Sequence, residues 1–174
     1  PLLVSPDLLV EEGFLESSQL SDLPEFPVDR IDYGPAIETK LRILRMAWDR
    51  FEQLPDVLKK DYQNFCKQES SWLHDYAMFR SCKDGHGGKS WTDWEPHLRD
   101  RDPDALYFWA EKNQDSIGAH KFYQYLFFRQ WSQLRSFSET AGIRIIGDIP
   151  IFVAHDSADV WANPEVFYLD EKGF

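Results

Sequence analysis

One short run of β-branched residues constrains the fold of this 174-residue chain more than any other feature. Residues 143–147 read Ile-Arg-Ile-Ile-Gly and follow Gly142, which closes a long helical pattern. A helix, a glycine and a short apolar strand in this order form the αβ unit of a parallel sheet or barrel. Because the backbone groups of a parallel strand need neighbouring strands, the sequence predicts partner strands that the rest of the chain mostly lacks.

The rest of the sequence has the three-to-four-residue spacing of apolar side chains that indicates amphipathic helices. It predicts a short helix closed by Gly13, a helix from about residue 37 to just before Pro55, a second helical run from 58 to near Asp84 and a third over 103–141. A break in the second run is expected near 69–71. The centre of the third run, 122–131, is apolar nearly all round, which predicts a helix buried on most sides.

Charge and cysteine content restrict the partners and the compartment. The formal net charge is −11 and the pI is near 4.8, so neither a nucleic-acid backbone nor an anionic membrane is expected as a partner. Cys66 and Cys82 do not make a disulfide scaffold, and no run reaches the roughly 20 apolar residues of a membrane helix. We therefore expect a cytoplasmic protein. Its first residue is not Met and its last residues read as a turn, so both ends are expected to be cut.

Asp148 is the strongest candidate for a functional side chain. It stands at the C-terminal end of the predicted strand, which is where α/β barrels carry their active-site residues. Pro150 follows and prevents a helix from starting at once. A carboxylate in this place binds hydroxyls or a cation, or acts as acid, base or nucleophile. The alternative is an aspartate that only hydrogen-bonds loop amides beside the strand.

The segment that follows holds further candidates. His155, Asp156 and Ser157 are residue types of a catalytic triad, but side chains this close in sequence seldom align as nucleophile, base and orienter. A helix N-cap at Ser157 or Asp156 is the simpler interpretation. The five histidines show no metal-ligand spacing, so the sequence predicts neither a metal site nor a cofactor.

Aromatic residues make up 16% of the chain, seven of them tryptophans, which suits a filled core or a surface that stacks on sugars. Most tryptophans fall on the helical period, and core packing is the default for each of them. Trp91, Trp94 and Trp161 lie in or beside predicted loops. We expect Trp91 and Trp94 to be exposed or half-buried, and all three are candidates for a ligand surface.

The run Gly-Asp-Ile-Pro-Ile-Phe-Val-Ala-His-Asp-Ser-Ala-Asp-Val-Trp-Ala-Asn-Pro at 147–164 resembles the 4-α-glucanotransferases of the amylomaltase, or disproportionating enzyme, family. Similar segments occur in the same order along the chain, at 1–6, 9–13, 30–34, 72–79 and 127–131. The resemblance implies starch, glycogen or maltose metabolism and α-1,4-glucans as substrates. It also implies a retaining reaction, in which one carboxylate forms a covalent glycosyl-enzyme and a second serves as acid and base.

For the fold, the resemblance implies an α/β class: part of an α-amylase-like (β/α)8 TIM barrel with an inserted, mostly helical subdomain. Residues 1–36 would be a barrel loop and connector, 37–100 the inserted helical subdomain, and 101–174 a barrel helix, the third barrel strand and the active-site loop after it. This chain would be mainly α with one clear parallel strand. Asp148 matches the family's aspartate near the donor sugar, and His155, Asp156, Ser157 and Trp161 are weaker candidates for substrate contact.

The family's motifs for the nucleophile, Arg-Ile-Asp-His-Phe-Arg-Gly, and for the acid/base glutamate, Ala-Glu-Asp-Leu-Gly, are not in this sequence. We therefore expect no catalytic residue in the chain, which would be an internal piece of the N-terminal half of a larger enzyme, inactive without the remainder of the barrel. Two other hypotheses remain open. One is a non-catalytic module that binds glucan or a partner protein; the other is a helical structural domain with an apolar tail.

Overall fold

The computed structural model describes residues 1–149, 151–170 and 173, and the regular secondary structure of these residues is entirely helical. The α-helices are α1 (Pro6–Glu11), α2 (Tyr33–Asp49), α3 (Asp56–Gln68), α4 (Leu73–Gly85), α5 (Pro96–Arg99), α6 (Pro103–Lys112), α7 (Gln114–Thr140) and α8 (Ala158–Ala162). Short 3-10 turns cover Ser17–Leu20, Phe51–Gln53, Trp91–Asp93 and Pro164–Val166. The predicted helical runs are confirmed, including the break between α3 and α4.

Polar caps, prolines and a glycine set the ends of several helices. The Ser5 hydroxyl accepts a hydrogen bond from the Leu8 amide at 3.4 Å, and the Asp102 carboxylate accepts one from the Ala105 amide at 3.0 Å. In both cases the residue after the cap is a proline, whose missing N–H costs nothing in the first turn. Gly142 ends α7 with φ 69°, a left-handed conformation that favours glycine.

Two of the predicted helical runs have different bounds in the structure. The run expected from about residue 37 to just before Pro55 is α2, Tyr33–Asp49, followed by the 3-10 turn Phe51–Gln53. The run over 103–141 is divided at Asn113, so that α6 and α7 are separate helices. The backbone N–H and the side-chain amide of Asn113 both donate to the Trp109 carbonyl, at 3.0 and 2.9 Å. Asparagine competes with the regular helical hydrogen bonds in this way, which explains the interruption of an otherwise periodic pattern.

The chain divides into two compact units. The first unit contains residues 1–67 and 122–145. Its centre is a cluster of six aromatic rings: Phe14, Trp48, Phe51, Tyr62, Phe122 and Tyr125. Phe122 is completely buried, and the other five ring centroids lie 5.5–5.9 Å from its own. Residues 122–126 are all buried and 127–131 are half-buried, so the burial expected over 122–131 is complete only in its first half.

The second unit contains residues 68–121 and those from 146 onward. Its hydrophobic core includes Phe79, Trp91, Trp94, Val160 and Trp161. Trp91 and Trp94 are only 4% and 3% exposed, so the prediction that they are exposed or half-buried is wrong. Each indole N–H donates to a backbone carbonyl, from Trp91 to His155 at 2.9 Å and from Trp94 to Lys89 at 3.3 Å, which allows the rings to be buried.

The predicted barrel strand over 143–147 is the main correction. No described residue of this chain is in a β-strand, so the expected α/β class with one parallel strand is wrong for the structure, which is α-helical. Residues 143–149 have no regular secondary structure, and Ile146 is 94% and Ile149 82% exposed. A strand requires paired neighbours, and the described part of the chain provides none. Pro150, named above, lies outside the described residues.

Candidate functional site

The Asp148 carboxylate lies in the extended segment after α7. One of its oxygens, Oδ1, accepts a hydrogen bond from the Ile149 backbone amide at 2.8 Å. The residue is exposed, and so are the apolar side chains on both sides of it. The local hydrogen bond restrains one oxygen of a carboxylate whose residue is exposed to solvent. This geometry suits a group that accepts hydrogen bonds from the hydroxyls of a ligand.

His155 is attached to the buried core of the second unit by its backbone and by its ring. Its carbonyl accepts the Trp91 indole N–H, and the centroids of the two rings are 5.4 Å apart. The imidazole Nε2 lies 2.5 Å from the carbonyl oxygen of Gly173. A glycine is required there, because a Cβ at residue 173 would lie 2.4 Å from the Trp91 ring.

Asp156 links the same segment to α4. Its Oδ2 forms an ion pair with the Lys83 ammonium, and its Oδ1 accepts a hydrogen bond from the Trp91 backbone amide at 3.4 Å. The Lys83 ammonium also lies 5.8 Å from the centre of the Phe79 ring. Asp156 therefore has a structural role in the described conformation, whatever else it contacts.

Ser157 and Trp161 fix α8. The Ser157 hydroxyl accepts a hydrogen bond from the Val160 amide at 3.3 Å, which is the N-cap interaction favoured by the sequence. Trp161 is 1% exposed, and its indole N–H donates to the Leu98 carbonyl at 3.1 Å. The Arg101 guanidinium covers the Trp161 ring at 4.4 Å from its centre. Trp161 is thus a core residue that anchors α8 and the segment before it in the second unit.

The structure therefore separates the five candidates. Four of the candidates are held by the second unit. His155 contacts Trp91, and Asp156 pairs with Lys83. Ser157 caps α8, and Trp161 lies within that helix. Asp148 differs from them, because in the described part of the chain its carboxylate accepts a hydrogen bond from the adjacent Ile149 amide. No local pattern indicates the contacts of Lys83 with Asp156 and of Arg101 with Trp161, because the partners are distant in the chain. Arg101 has φ 57°, a left-handed conformation that nothing in the local sequence predicts.

Nearby titratable groups have shifted pKa values with clear causes. Burial alone would raise the pKa of the Asp84 carboxyl. The hydrogen bond from His120 at 2.8 Å and the charges of His120, Arg80 and Lys83 outweigh this effect and lower it. Burial raises the pKa of the Cys82 thiol to about 12, so this cysteine is not a reactive thiolate at neutral pH.

The described residues contain no group of three or more histidine, cysteine, aspartate or glutamate side chains arranged to hold a metal ion. In the same residues no helix combines the length and the hydropathy needed to cross a bilayer. The arrangement around Asp148 offers hydrogen-bond acceptance from an exposed carboxylate.

Comparison with known proteins gives a consistent result along the whole chain. A family model described as 4-alpha-glucanotransferase matches residues 1–173. The 4-alpha-glucanotransferases of Synechocystis and Thermus thermophilus are each 42% identical to this chain over 99% of its length, which is 34% of theirs. The chloroplastic/amyloplastic 4-alpha-glucanotransferase of Solanum tuberosum is 38% identical over 99% of this chain and 30% of its own. The chain thus spans about a third of the length of these relatives.

A solved structure is also similar. It is an amylomaltase from Streptococcus agalactiae in complex with acarbose, and it matches with a TM-score of 0.91 and 31% sequence identity. The match covers 99% of this chain and 35% of the amylomaltase chain.

Proposed function

The chain belongs to the 4-alpha-glucanotransferase family, and on this premise we propose that it is the substrate-contacting part of an enzyme that transfers α-1,4-glucan segments between maltooligosaccharides. The observation that carries the proposal is the match of residues 1–173 to that family. The Streptococcus agalactiae amylomaltase in complex with acarbose supports a saccharide as the ligand.

The proposed reaction is a retaining double displacement. In such a reaction a carboxylate attacks the anomeric carbon and forms a glycosyl-enzyme, while an acid/base carboxyl about 5 Å away protonates the leaving oxygen. The same acid/base group then activates the incoming 4-hydroxyl of the acceptor glucan. The family's motifs for both carboxylates are not in this sequence, so we assign no catalytic residue to this chain.

The contribution assigned to Asp148 is to hold a sugar by its hydroxyls. An ionised carboxylate accepts hydrogen bonds and has no proton to donate, so it orients hydroxyl groups toward itself. The Ile149 amide fixes one oxygen and leaves the other for the ligand. Charge-assisted hydrogen bonds of this kind are stronger than neutral ones, and correct placement of the sugar lowers the barrier to the reaction.

The contribution assigned to His155, Asp156, Ser157 and Trp161 is to support the segment that carries Asp148. Their contacts with Trp91, Lys83, Val160 and Leu98 attach it to the second unit. Because these contacts are made within the protein, we expect their loss to change the position and the stability of the segment more than the chemistry of the reaction.

The test is Asp148→Asn in the full-length protein that contains this chain, with maltotriose as donor and acceptor. The amide keeps the shape but removes the charge, so kcat/KM for transfer is expected to fall by about 100-fold, the effect of misplacing a reacting group. Asp104→Asn is the matched control, because Asp104 is an exposed carboxylate on α6. Transfer by Asp148→Asn at the control's rate would remove Asp148 from the site.

A further inference from the structure

A concave surface lies within the second unit, between α4 and α8. It is a cleft of about 290 Å³. Its lining includes Trp72, Asp75 and Tyr76 on the α4 side and Asp159 and Asn163 on the α8 side. The two small side chains of α8 that also line it, Ala158 and Ala162, are one helical turn apart and leave the space open.

The walls of the cleft are held in place by the core. The next residues of α8, Val160 and Trp161, are 2% and 1% exposed, so the opposite face of this short helix is anchored. On the α4 side the Trp72 indole N–H donates to the Glu69 carboxylate at 2.6 Å, which fixes the ring orientation. The cleft is therefore formed before any ligand binds, which reduces the entropic cost of binding.

Two aromatic rings form one wall of the cleft. Trp72 and Tyr76 are both half-buried, and their centroids lie 6.0 Å apart at an interplanar angle of 65°. Because the two ring planes are steeply inclined to each other, they form a corner and not a flat surface. A ligand with a compact apolar face, such as the C–H face of a pyranose ring, fits a corner of this kind.

The polar wall is rich in acceptors. The Arg101 guanidinium donates a hydrogen bond to Asp75 Oδ1 at 2.6 Å, and the Asp75 side chain remains 41% exposed. On the other side of the cleft, Asp159 is exposed. The side-chain amide N–H of Asn163 donates a hydrogen bond to the Asp159 carbonyl at 3.1 Å, so the Asn163 side-chain oxygen is left as an acceptor. The ligand must then supply several hydrogen-bond donors, and neighbouring sugar hydroxyls do so.

We propose that this cleft is an additional binding site for an α-1,4-glucan chain, with one glucose ring against Trp72 and Tyr76 and its hydroxyls donating to Asp75 and Asp159. The ligand class rests on the proposed function, and the position rests on the cleft itself. A volume of about 290 Å³ is at the small end of ligand pockets, so one or two sugar rings occupy it and the rest of the chain extends into solvent.

The test follows Trp72 directly by ¹⁹F NMR in the full-length protein labelled with 5-fluorotryptophan. Trp72→Phe identifies the Trp72 resonance, and maltoheptaose is then titrated. The Trp72 resonance is expected to shift in a saturable way. Ala162→Phe fills the cleft and is expected to weaken this response about fivefold or more, the scale of one lost stacking contact. Ala105→Phe is the matched control on a half-buried alanine of α6.

Asp159→Asn provides a second variant, because an exposed isosteric change does not threaten folding. It is expected to weaken maltoheptaose binding about threefold while the melting temperature stays unchanged. The proposed site is overturned if the Trp72 resonance does not shift when maltoheptaose is added. It is also overturned if the resonance shifts equally in Ala162→Phe and in the wild type. A response to an oligolysine peptide but not to maltoheptaose assigns the cleft to a basic partner and also overturns it.

The same titration distinguishes this site from the proposed function. If the wild-type protein transfers glucose units from maltotriose and the Trp72 resonance does not move, the function stands and the cleft fails. If the resonance moves and no transfer occurs, the cleft binds glucan and the transferase assignment fails.

Discussion

The middle of α7 and the segment after it are both rich in apolar side chains, but their burial is opposite. Residues 122–126 are all buried, whereas Ile146, Ile149 and Phe152 are 94%, 82% and 89% exposed. A helix satisfies its own backbone hydrogen bonds and needs only side-chain partners, which α2, α3 and the segment around Phe14 provide. An extended segment needs partners for its backbone as well. Hydrophobicity alone therefore does not decide which of the two regions is buried.

The largest expected effect is at the centre of the aromatic cluster. Phe122→Ala should reduce the free energy of unfolding by about 3–5 kcal/mol, because a completely buried ring is replaced by a cavity. Phe152→Ala is the matched change in the exposed segment and should alter stability by less than about 0.5 kcal/mol. Urea denaturation followed by circular dichroism measures both. Equal losses in the two variants would contradict the contrast between the regions.

A smaller effect is expected at the end of the exposed segment. Ser157→Ala removes the cap of α8 and should cost about 1 kcal/mol. The loss should be concentrated in α8, so hydrogen exchange at Val160 is expected to accelerate while exchange in α2 does not change. Ser136→Ala, an exposed serine of α7, is the control. Uniform acceleration along the chain would show that Ser157 acts through global stability.

The smallest effect concerns pH. The pKa of Asp84 is lower in the folded protein than its ordinary value of 3.8. Its stabilising contribution is therefore complete above that value and is lost as the pH falls through the lower, folded-state pKa. Because the side chain is 52% exposed, the contribution is below about 1 kcal/mol. Asp84→Asn should flatten the fall in stability between pH 5 and 2 in urea titrations, and an unchanged profile would contradict this assignment.

The helical part of the fold was predictable because its signals are local. The break between α3 and α4, the end of α7 at Gly142 and the cap at Ser157 each depend on residues within a few positions. The burial of Trp91 and Trp94 was not predictable, because only folding brings backbone carbonyls to their indole N–H groups as hydrogen-bond acceptors. A loop position in the sequence does not imply an exposed side chain.

The candidate site likewise has features that the sequence predicts and contacts that only the structure shows. The sequence and the family resemblance selected Asp148 and the residues from 155 to 161, and the structure adds what each of them contacts. The Asp156–Lys83 ion pair and the Arg101 cover on Trp161 join residues far apart in sequence, so no local pattern indicated them. The strand prediction failed for a related reason: apolar, β-branched residues favour a strand only where neighbouring strands complete the backbone bonds.

The most direct measurement compares the 174-residue chain, of confirmed intact mass, with the full-length protein that contains it. Each is incubated with maltotriose, and the products are separated by chromatography. We expect glucose and longer maltooligosaccharides from the full-length protein and unchanged maltotriose from the chain by itself. Longer products from the chain alone would show that its own carboxylates, such as Asp148, Asp156 and Asp159, perform the chemistry. Unchanged maltotriose with the full-length protein would contradict the transferase assignment.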